Sequence, residues 1–204
     1  MLLFVRHGQS VANEAGLLLG RADSPLTDLG RAQADALGAA LALRAPEPCR
    51  IVTSPLQRAR ATADLIASRY TSPPPPVPDE RFIELDYGEL DERALAEVPA
   101  GIWESWQEDC LFRPRDGESL MEVMTRVSAA CDELATVAAK RDVVIVSHVS
   151  PIKAAVAWAL GCGVEVTWHL SLSVASITSI ATGGPRGPSL VGFNETGHLT
   201  APRG

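Results

Sequence analysis

Five residues of types suited to phosphoryl chemistry follow predicted strands or begin the helix after one. They are two arginines, two histidines and a glutamate: Arg6, His7, Arg58, Glu84 and His148. A neutral imidazole nitrogen is a competent nucleophile that can form a covalent intermediate. Guanidinium groups bind phosphoryl oxygens through paired hydrogen bonds, and a carboxyl group can protonate a leaving alkoxide and then activate water. These residue types therefore suit the transfer of a phosphoryl group through histidine, in which catalysis is mostly positioning and electrostatic stabilisation.

Strands alternate with helices along the chain. Apolar runs predict strands at Leu2–Val5, Arg50–Thr53 and Val143–Val146, because a strand covered on both faces is apolar throughout. Four helices are predicted from N-cap, proline and apolar-spacing signals. The first is capped by Thr27, and the residues on its apolar face are Leu29, Ala32, Ala36, Leu37, Ala40 and Leu41. The second runs from Pro55 to about Tyr70, and the fourth from about Pro151 to Leu160. The third is opened by residues 117–119, and the residues on its apolar face are Leu120, Val123, Met124, Val127, Ala130, Cys131, Leu134 and Val137. This alternation predicts an α/β layered domain with a mainly parallel sheet.

The remaining segments are less regular. Phe82–Tyr87 is predicted to be a strand end that enters a loop, and late strands are predicted near Val174–Ala181 and Leu190–Phe193. Pro73–Pro76 is predicted to be a stiff extended connector. Residues 91–110 mix helical fragments with no firm assignment. No repeat or composition break marks a second domain, so residues 1–204 are predicted to form one domain.

The chemistry-bearing residues map to one edge of this predicted sheet. In open α/β sheets, ligands bind outside the carboxyl ends of the strands. Arg6 and His7 come directly after the first strand, Glu84 follows Phe82, and His148 comes shortly after Val146. The residues after His148 also begin a helix, whose free N–H groups favour an anion. The sequence therefore predicts one anion-binding site at this edge.

Composition excludes several classes of protein. Acidic residues outnumber basic ones by 25 to 18, and the net charge of −7 argues against a nucleic-acid partner. The longest apolar run, Ala154–Val164, is shorter than the roughly 20 residues that a membrane-spanning helix needs. The apolar run at the N-terminus meets charged residues too soon for a secretory signal. The cysteines lack metal-ligand spacing, so we expect no metal site and four buried thiols in a reducing cytoplasm. They are Cys49, Cys110, Cys131 and Cys162.

The motifs, taken in order, resemble the histidine phosphatase superfamily, also called phosphoglycerate mutase-like. The resemblance covers nearly the whole chain, from residue 2 to residue 199. It rests on Leu3-Phe-Val-Arg-His-Gly-Gln-Ser10 with Asn13, residues 20–30, Ser54-Pro-Leu-Gln-Arg-Ala-Arg-Ala-Thr62, Glu84-Leu-Asp-Tyr-Gly88, Gly117-Glu-Ser119, Ser147-His148 and residues 193–199. It implies a three-layer α/β/α fold with a mainly parallel central sheet.

The resemblance also implies roles for individual residues. His7 matches the phosphorylated nucleophile and Glu84 the proton donor, while Arg6, Arg58 and His148 match the pocket for the phosphoryl oxygens. The further substrate- or phosphate-binding positions are Asn13, Ser10, Gly20, Arg21, Tyr87 and Val149. Ser10 could instead cap a backbone group. The chain departs from the family pattern at Leu19, where the mutase branch often has a small hydroxyl residue, and at Leu90, Asp91 and Glu92.

The function implied is that of a metal-independent phosphomonoesterase of the histidine acid phosphatase type. It would need no cofactor and act on a small phosphorylated metabolite in the cytoplasm, as a monomer or homodimer. The alternatives are a cofactor-dependent phosphoglycerate mutase, which usually carries an insert for which 204 residues leave no room, and a non-catalytic phosphate-binding module. Residues 89–116 are expected to form a lid that selects the substrate. The four tryptophans are expected to pack in the core or at the rim of the site.

Overall fold

The fold is built on one six-stranded sheet. A computed structural model describes residues 1–199, so the last five residues of the predicted domain lie outside the described part of the chain. The strands are β1 (Leu2–Arg6), β2 (Arg50–Thr53), β3 (Pro76–Pro78), β4 (Val143–Ser147), β5 (Ile177–Ala181) and β6 (Ser189–Glu195). Their order across the sheet is β3-β2-β4-β1-β5-β6. Neighbours from β3 to β1 are parallel, and β5 and β6 are antiparallel. The predicted α/β fold with a mainly parallel sheet is confirmed.

Helices cover both faces of the sheet. They are α1 (Val11–Glu14), α2 (Asp28–Arg44), α3 (Gln57–Ala67), α4 (Ala100–Glu108), α5 (Leu120–Ala138) and α6 (Val149–Leu160). Successive side chains of a strand point to opposite faces. Leu2 and Phe4 of β1 accordingly lie in the core cluster with α5 and α6, and Leu3 and Val5 lie in the cluster with α2 and α3. The result is the expected three-layer arrangement, with the central strands buried on both sides.

Strand register brings the two histidines to the same edge. Arg6 at the end of β1 pairs with Ser147 at the end of β4, so His7 and His148 each leave the sheet immediately after this pair. The His7 N–H still donates to the Ser147 carbonyl at 3.1 Å. Ser54 continues β2 in the same way, because its N–H donates to the Val146 carbonyl at 2.9 Å. The residues that directly follow β1, β2 and β4 therefore lie together at the carboxyl edge of the sheet.

Two helix starts match the sequence signals closely. The Thr27 hydroxyl accepts the Gly30 N–H at 3.0 Å, so Thr27 caps α2 as predicted. Ser119 and Glu122 form a reciprocal capping box at the start of α5. Helix α6 begins at Val149, earlier than the predicted Pro151, because proline fits the first turn of a helix.

The predicted apolar face of α2 was wrong at its N-terminal end. Leu29 is 55% exposed and Ala32 is exposed, whereas Gly30 and Gly38 are buried. A side chain at Gly30 would collide with the Gln9 backbone, and one at Gly38 would press on Ile66 of α3. The helix therefore approaches its neighbours through glycines, which apolar periodicity does not detect.

The predicted strand end at Phe82–Tyr87 was also wrong. Phe82 ends a single 3-10 turn, Glu80–Phe82, and the chain then continues as a loop. The third strand is Pro76–Pro78 instead, and it pairs in parallel with β2 at the edge of the sheet. Proline is tolerated there because one side of an edge strand makes no ladder hydrogen bonds. Pro76, the last residue of the run predicted as a connector, thus begins this edge strand.

Further differences concern exposure and helix content. Helix α4 lies within the segment that the sequence left unassigned, and β5 begins at Ile177 rather than near Val174. Of the four thiols only Cys131 is buried, while Cys162 is exposed and the other two are half-buried. Among residues 1–199 no helix combines the length and hydropathy needed to cross a bilayer.

Candidate active site

A cavity of about 300 Å³ opens at the carboxyl ends of β1 and β4. Its charged lining residues are Arg6, Arg58, Glu84 and Lys153. Its polar lining residues include His7, Asn13, Tyr87, Ser150 and Thr167. Apolar walls complete it: Leu17, Leu18, Leu19, Leu85, Leu95, Trp103, Trp106, Leu120, Val123, Val149, Ala154, Val164 and Trp168. A polar, positively charged part therefore joins a larger apolar part.

His7 is held as a neutral imidazole with one defined tautomer. Its side chain is 3% exposed, and Nδ1 lies 2.7 Å from the Gly8 carbonyl oxygen. A carbonyl only accepts hydrogen bonds, so Nδ1 carries the proton and Nε2 keeps a lone pair. Burial lowers the pKa of His7 well below its usual value, and the charges of Arg58 and Arg6 lower it further. Nε2 is therefore available as a nucleophile at and below neutral pH.

His148 is positioned as a hydrogen-bond donor beside His7. The two rings lie 5.0 Å apart between centroids. His148 Nε2 is 2.7 Å from the Ser54 hydroxyl, whose oxygen accepts the Leu56 N–H at 3.3 Å and whose hydrogen is free to donate. If Ser54 donates its hydrogen to Nε2, the proton of His148 sits on Nδ1. That Nδ1 is buried and has no partner among residues 1–199, so in this tautomer it is a donor that no described group of the protein satisfies.

Backbone carbonyls hold one terminal nitrogen of the Arg6 guanidinium group and both terminal nitrogens of the Arg58 guanidinium group. Arg6 Nη1 donates to the Leu172 carbonyl at 2.6 Å. Arg58, which is 1% exposed, donates to the carbonyls of Gly20 and Ala22 at 2.7 and 2.9 Å. Within residues 1–199 the Nε of each arginine is buried without a partner. Burial lowers the pKa of both groups, since each charge lies out of water. Such charges gain most from a bound anion.

Thr62 fixes the loop after β1 to helix α3. Its hydroxyl accepts the Gly8 N–H at 3.2 Å and donates to the Arg58 carbonyl at 2.8 Å. The residue that follows His7 is thereby tied to the residue that supplies the second arginine. On the other side, a side chain at Gly8 would collide with the Gly30 backbone at the start of α2. The loop that carries His7 is therefore held from two helices.

Glu84 is seated on the N-terminus of α6. Its Oε1 accepts the N–H groups of Leu85 and Ser150 at 2.8 and 3.1 Å, and its Oε2 accepts that of Val149 at 3.1 Å. The N–H groups that the sequence suggested for a phosphoryl anion are thus used by this carboxylate. Oε2 makes one such contact where Oε1 makes two, so Oε2 is the atom with room to hold and release a proton.

Asp91 organises the loop that holds Arg58. Its Oδ1 accepts the Gly20 N–H at 2.7 Å, and its Oδ2 accepts those of Arg21 and Ala22 at 3.0 and 2.9 Å. The carbonyls of Gly20 and Ala22 are the ones that receive the Arg58 guanidinium. Asp91 therefore acts on Arg58 through a backbone loop and does not line the cavity itself.

The other sequence-predicted residues divide into two groups. Asn13, Tyr87 and Val149 line the cavity. Burial raises the pKa of Tyr87, and the Glu84 charge adds to the effect. The remaining three do not line it. Ser10 forms a capping box with Asn13 at the start of α1, Gly20 packs against the Leu85 carbonyl, and Arg21 pairs with Asp86 and Glu118, each at 3.3 Å.

Three residues near the site were not singled out from the sequence as site residues. Ser54 orients His148, Asp91 holds the loop that receives Arg58, and Lys153 lines the cavity. Ser54 directly follows a strand and could have been found by the same rule as His7. Lys153 carried a weaker signal, because it is one of only two lysines in the chain. Asp91 had none, since its partners are distant in sequence.

Comparison with known proteins identifies the family. The family model described as histidine phosphatase superfamily (branch 1) matches residues 2–196. The chain belongs to this superfamily. The match confirms the resemblance drawn from the ordered motifs, and it takes in the loops bearing His7 and His148.

Relatives and solved structures of the superfamily agree with this assignment. Glucosyl-3-phosphoglycerate phosphatase of Mycolicibacterium vanbaalenii is 35% identical over 174 residues, which are 80% of this chain and 76% of the relative. The structure of a mycobacterial glucosyl-3-phosphoglycerate phosphatase complexed with VO3 superposes with a TM-score of 0.85 at 29% identity, covering 96% of this chain and 99% of that one. A protein of Mycobacterium tuberculosis described as bifunctional is 35% identical over 97% of this chain. This chain spans only 54% of that relative's length.

Proposed function

We propose that the chain is a metal-independent phosphomonoesterase that works through a phosphohistidine on His7. The supporting observation is that the buried His7 keeps an unprotonated Nε2 and that Arg6, Arg58 and His148 each have a buried donor atom with no partner among residues 1–199. A nucleophile surrounded by donors without partners suits a group that carries several anionic oxygens. The phosphatase relatives support hydrolysis of a small phosphorylated metabolite.

The first half of the reaction forms the covalent intermediate. His7 Nε2 attacks phosphorus while Arg6, Arg58 and His148 bind the equatorial oxygens, and Asn13 adds a further donor from the cavity wall. The bond between phosphorus and the ester oxygen breaks. Glu84, protonated on Oε2, transfers this proton to the departing alkoxide, so the alcohol leaves neutral.

The second half releases phosphate. The Glu84 carboxylate takes a proton from water, and the hydroxide attacks the phosphorus of the phosphohistidine. The bond between His7 Nε2 and phosphorus breaks, which restores the imidazole and yields inorganic phosphate. Every step of this proposed reaction is assigned to side chains and water.

The test is hydrolysis of a panel of small phosphoesters with EDTA present and His7→Ala as the control. Turnover by the wild-type chain that disappears in His7→Ala supports the proposal. Phosphoryl exchange between esters without release of inorganic phosphate would show that the chain is a mutase and not a phosphatase. If the chain shows neither turnover nor exchange with any ester, it is a phosphate-binding module rather than an enzyme.

A further inference from the structure

The backbone that carries Glu84 is not part of the sheet. Residues 81–86, here called the Glu84 loop, leave the 3-10 turn Glu80–Phe82 and enter no strand. The Ser147 hydroxyl donates to the Phe82 carbonyl at 2.7 Å and ties the beginning of this loop to β4. A carboxyl group transfers a proton only when it lies within hydrogen-bond reach of the leaving oxygen, so the rest of the loop must also be fixed.

Arg126 of helix α5 binds two carbonyls of the Glu84 loop. Its Nη1 donates to the Arg81 carbonyl at 2.7 Å, and its Nη2 donates to the Glu84 carbonyl at 3.3 Å. One guanidinium group therefore spans the residues that lead to the carboxylate and contacts the backbone of Glu84 itself. Arg126 is not a lining residue of the cavity, so its contacts are with the loop and not with a bound ester.

Glu118 fixes the orientation of the Arg126 guanidinium. Its Oε1 accepts Arg126 Nε at 2.8 Å and its Oε2 accepts Nη2 at 3.0 Å, which is a bidentate pair. The two side chains are largely buried, with 16% of Arg126 and 11% of Glu118 exposed. The Glu118 N–H also donates to the Asp86 carbonyl at 2.9 Å. The pair therefore holds the Glu84 loop at Arg81, at Glu84 and at Asp86.

Stability alone does not account for this pair. Removing two charges from water offsets much of their attraction, and apolar side chains of similar volume often stabilise a buried position equally well. Apolar side chains cannot donate hydrogen bonds to carbonyls. The contribution that only the Arg126–Glu118 pair can make is a set of donors with fixed directions, and these donors face the loop that carries Glu84.

We propose that Arg126, oriented by Glu118, is a positioning residue that sets the Glu84 carboxylate on the first turn of α6, within reach of the leaving oxygen. This inference rests on the proposed function, in which Glu84 is the proton donor. Neither member of the pair lines the cavity. Loss of the pair should therefore weaken proton donation to the leaving group and leave the phosphoryl pocket in place.

The first experiment disrupts the pair in two ways. Arg126→Gln combined with Glu118→Gln leaves no unpaired buried charge, whereas Arg126→Lys keeps the charge but lacks the planar fork that reaches Glu118 and two carbonyls together. The control is Arg44→Gln combined with Glu195→Gln, which removes another bidentate pair, between α2 and β6. Each variant is assayed on n-butyl phosphate, whose leaving group needs a proton, and on p-nitrophenyl phosphate, whose leaving group does not.

Both Arg126 variants are expected to lose roughly ten- to a hundredfold more kcat on n-butyl phosphate than on p-nitrophenyl phosphate, the effect of a misplacement of about 1 Å, with little change in KM. In a Glu84→Gln background they should cause no further selective loss, because they act through Glu84. If the double variant does not fold, Arg126→Lys decides. Equal losses on the two esters, selectivity in the control, wild-type rates in Arg126→Lys, or a selective loss that persists without Glu84 would overturn the proposal.

Amide exchange separates this inference from the proposed function. The N–H groups of Val149 and Ser150 donate to the Glu84 carboxylate, and in the first turn of α6 they have no helical acceptor. Their protection from hydrogen exchange, measured by NMR, therefore reports whether the carboxylate is in place, and Glu84→Ala gives the unprotected limit. Protection lost in Arg126→Lys and kept in the control supports the positioning role even if the chain hydrolyses neither ester. Wild-type protection in Arg126→Lys overturns it even if the phosphatase activity is found.

Discussion

Replacing Asp91 with asparagine tests whether a residue outside the cavity sets the position of Arg58. The Asp91 carboxylate accepts four N–H groups, those of Gly20, Arg21, Ala22 and Glu92, at 2.7 to 3.1 Å. Asparagine has nearly the same shape but only one acceptor oxygen, so about half of these bonds are lost. The amide nitrogen would also face backbone donors.

The expected magnitude follows from those bonds. A hydrogen bond to a charged acceptor contributes roughly 1.5–3 kcal/mol, and we expect less here because part of the loop is exposed to water. We expect Asp91→Asn to lower the free energy of unfolding by about 2 kcal/mol, or the melting temperature by roughly 4–8 °C. Because Arg58 is held by the carbonyls of this loop, a shift of its guanidinium is expected to reduce kcat/KM by roughly ten- to a hundredfold.

The assay is p-nitrophenyl phosphate hydrolysis together with thermal unfolding, and Glu92→Gln is the matched control. Glu92 is the exposed neighbour of Asp91, so the control removes the same charge without removing the contacts to residues 20–22. An Asp91→Asn variant whose kcat/KM stays within about twofold of the control, the usual range for a surface change, would refute the loop as the support of Arg58.

Three further predictions follow from the site. Burial holds the pKa values of His7 and His148 well below 6.5 in the folded state, so the unfolded state binds more protons as the pH falls below 6.5. The free energy of unfolding should therefore fall as the pH drops below 6.5, and the contribution of these two histidines approaches about 2.7 kcal/mol per pH unit where both are protonated only in the unfolded state; His7→Gln should roughly halve that contribution in thermal melts. Glu84→Gln should slow the hydrolysis of alkyl phosphates by roughly 10²–10⁴-fold and that of p-nitrophenyl phosphate far less, because p-nitrophenolate leaves without a proton. Equal losses of rate on both substrates would show that another group is the acid. Activity should survive dialysis against EDTA, and recovery that requires an added divalent ion would contradict the metal-independent mechanism.

The rim of the site could be predicted because its residues depend on local signals. Uninterrupted apolar runs identify β1 and β4, and the residue after each such strand must lie at the carboxyl edge of a parallel sheet. His7 and His148 were found in this way, and their proximity follows from the pairing of Arg6 with Ser147. Helix α5 was found from Ser119, because a capping box lies within one turn of sequence.

The features that the sequence did not predict, or predicted wrongly, depend on contacts between segments that are distant in the chain. Asp91 acts on Gly20, and no local pattern connects them. The buried face of α2 follows from glycines that permit close backbone approach, which hydropathy does not register. The third strand contains Pro76 and Pro78, residues that disfavour a strand anywhere except at an edge, and the edge position is visible only in the assembled sheet.

The location of Lys153 in the cavity wall could not be predicted for a different reason. Its position on the apolar helix after His148 was clear, but a lone lysine in such a sequence is as compatible with a solvated helix surface as with a cavity wall. The structure places it in the lining with Arg6 and Glu84 and without a partner of its own among residues 1–199. Its meaning depends on the charges around it, and these come from strands and loops that are far apart in the sequence.

The central claim is that a phosphoryl group passes through His7. Rapid quenching of a reaction with a ³²P-labelled ester under alkaline conditions, followed by peptide mapping, tests it most directly. We expect transient label on the peptide containing His7, stable to base and lost in acid, and no label in His7→Ala. Steady turnover with label on another residue, or with no labelled enzyme at any time, would contradict the mechanism.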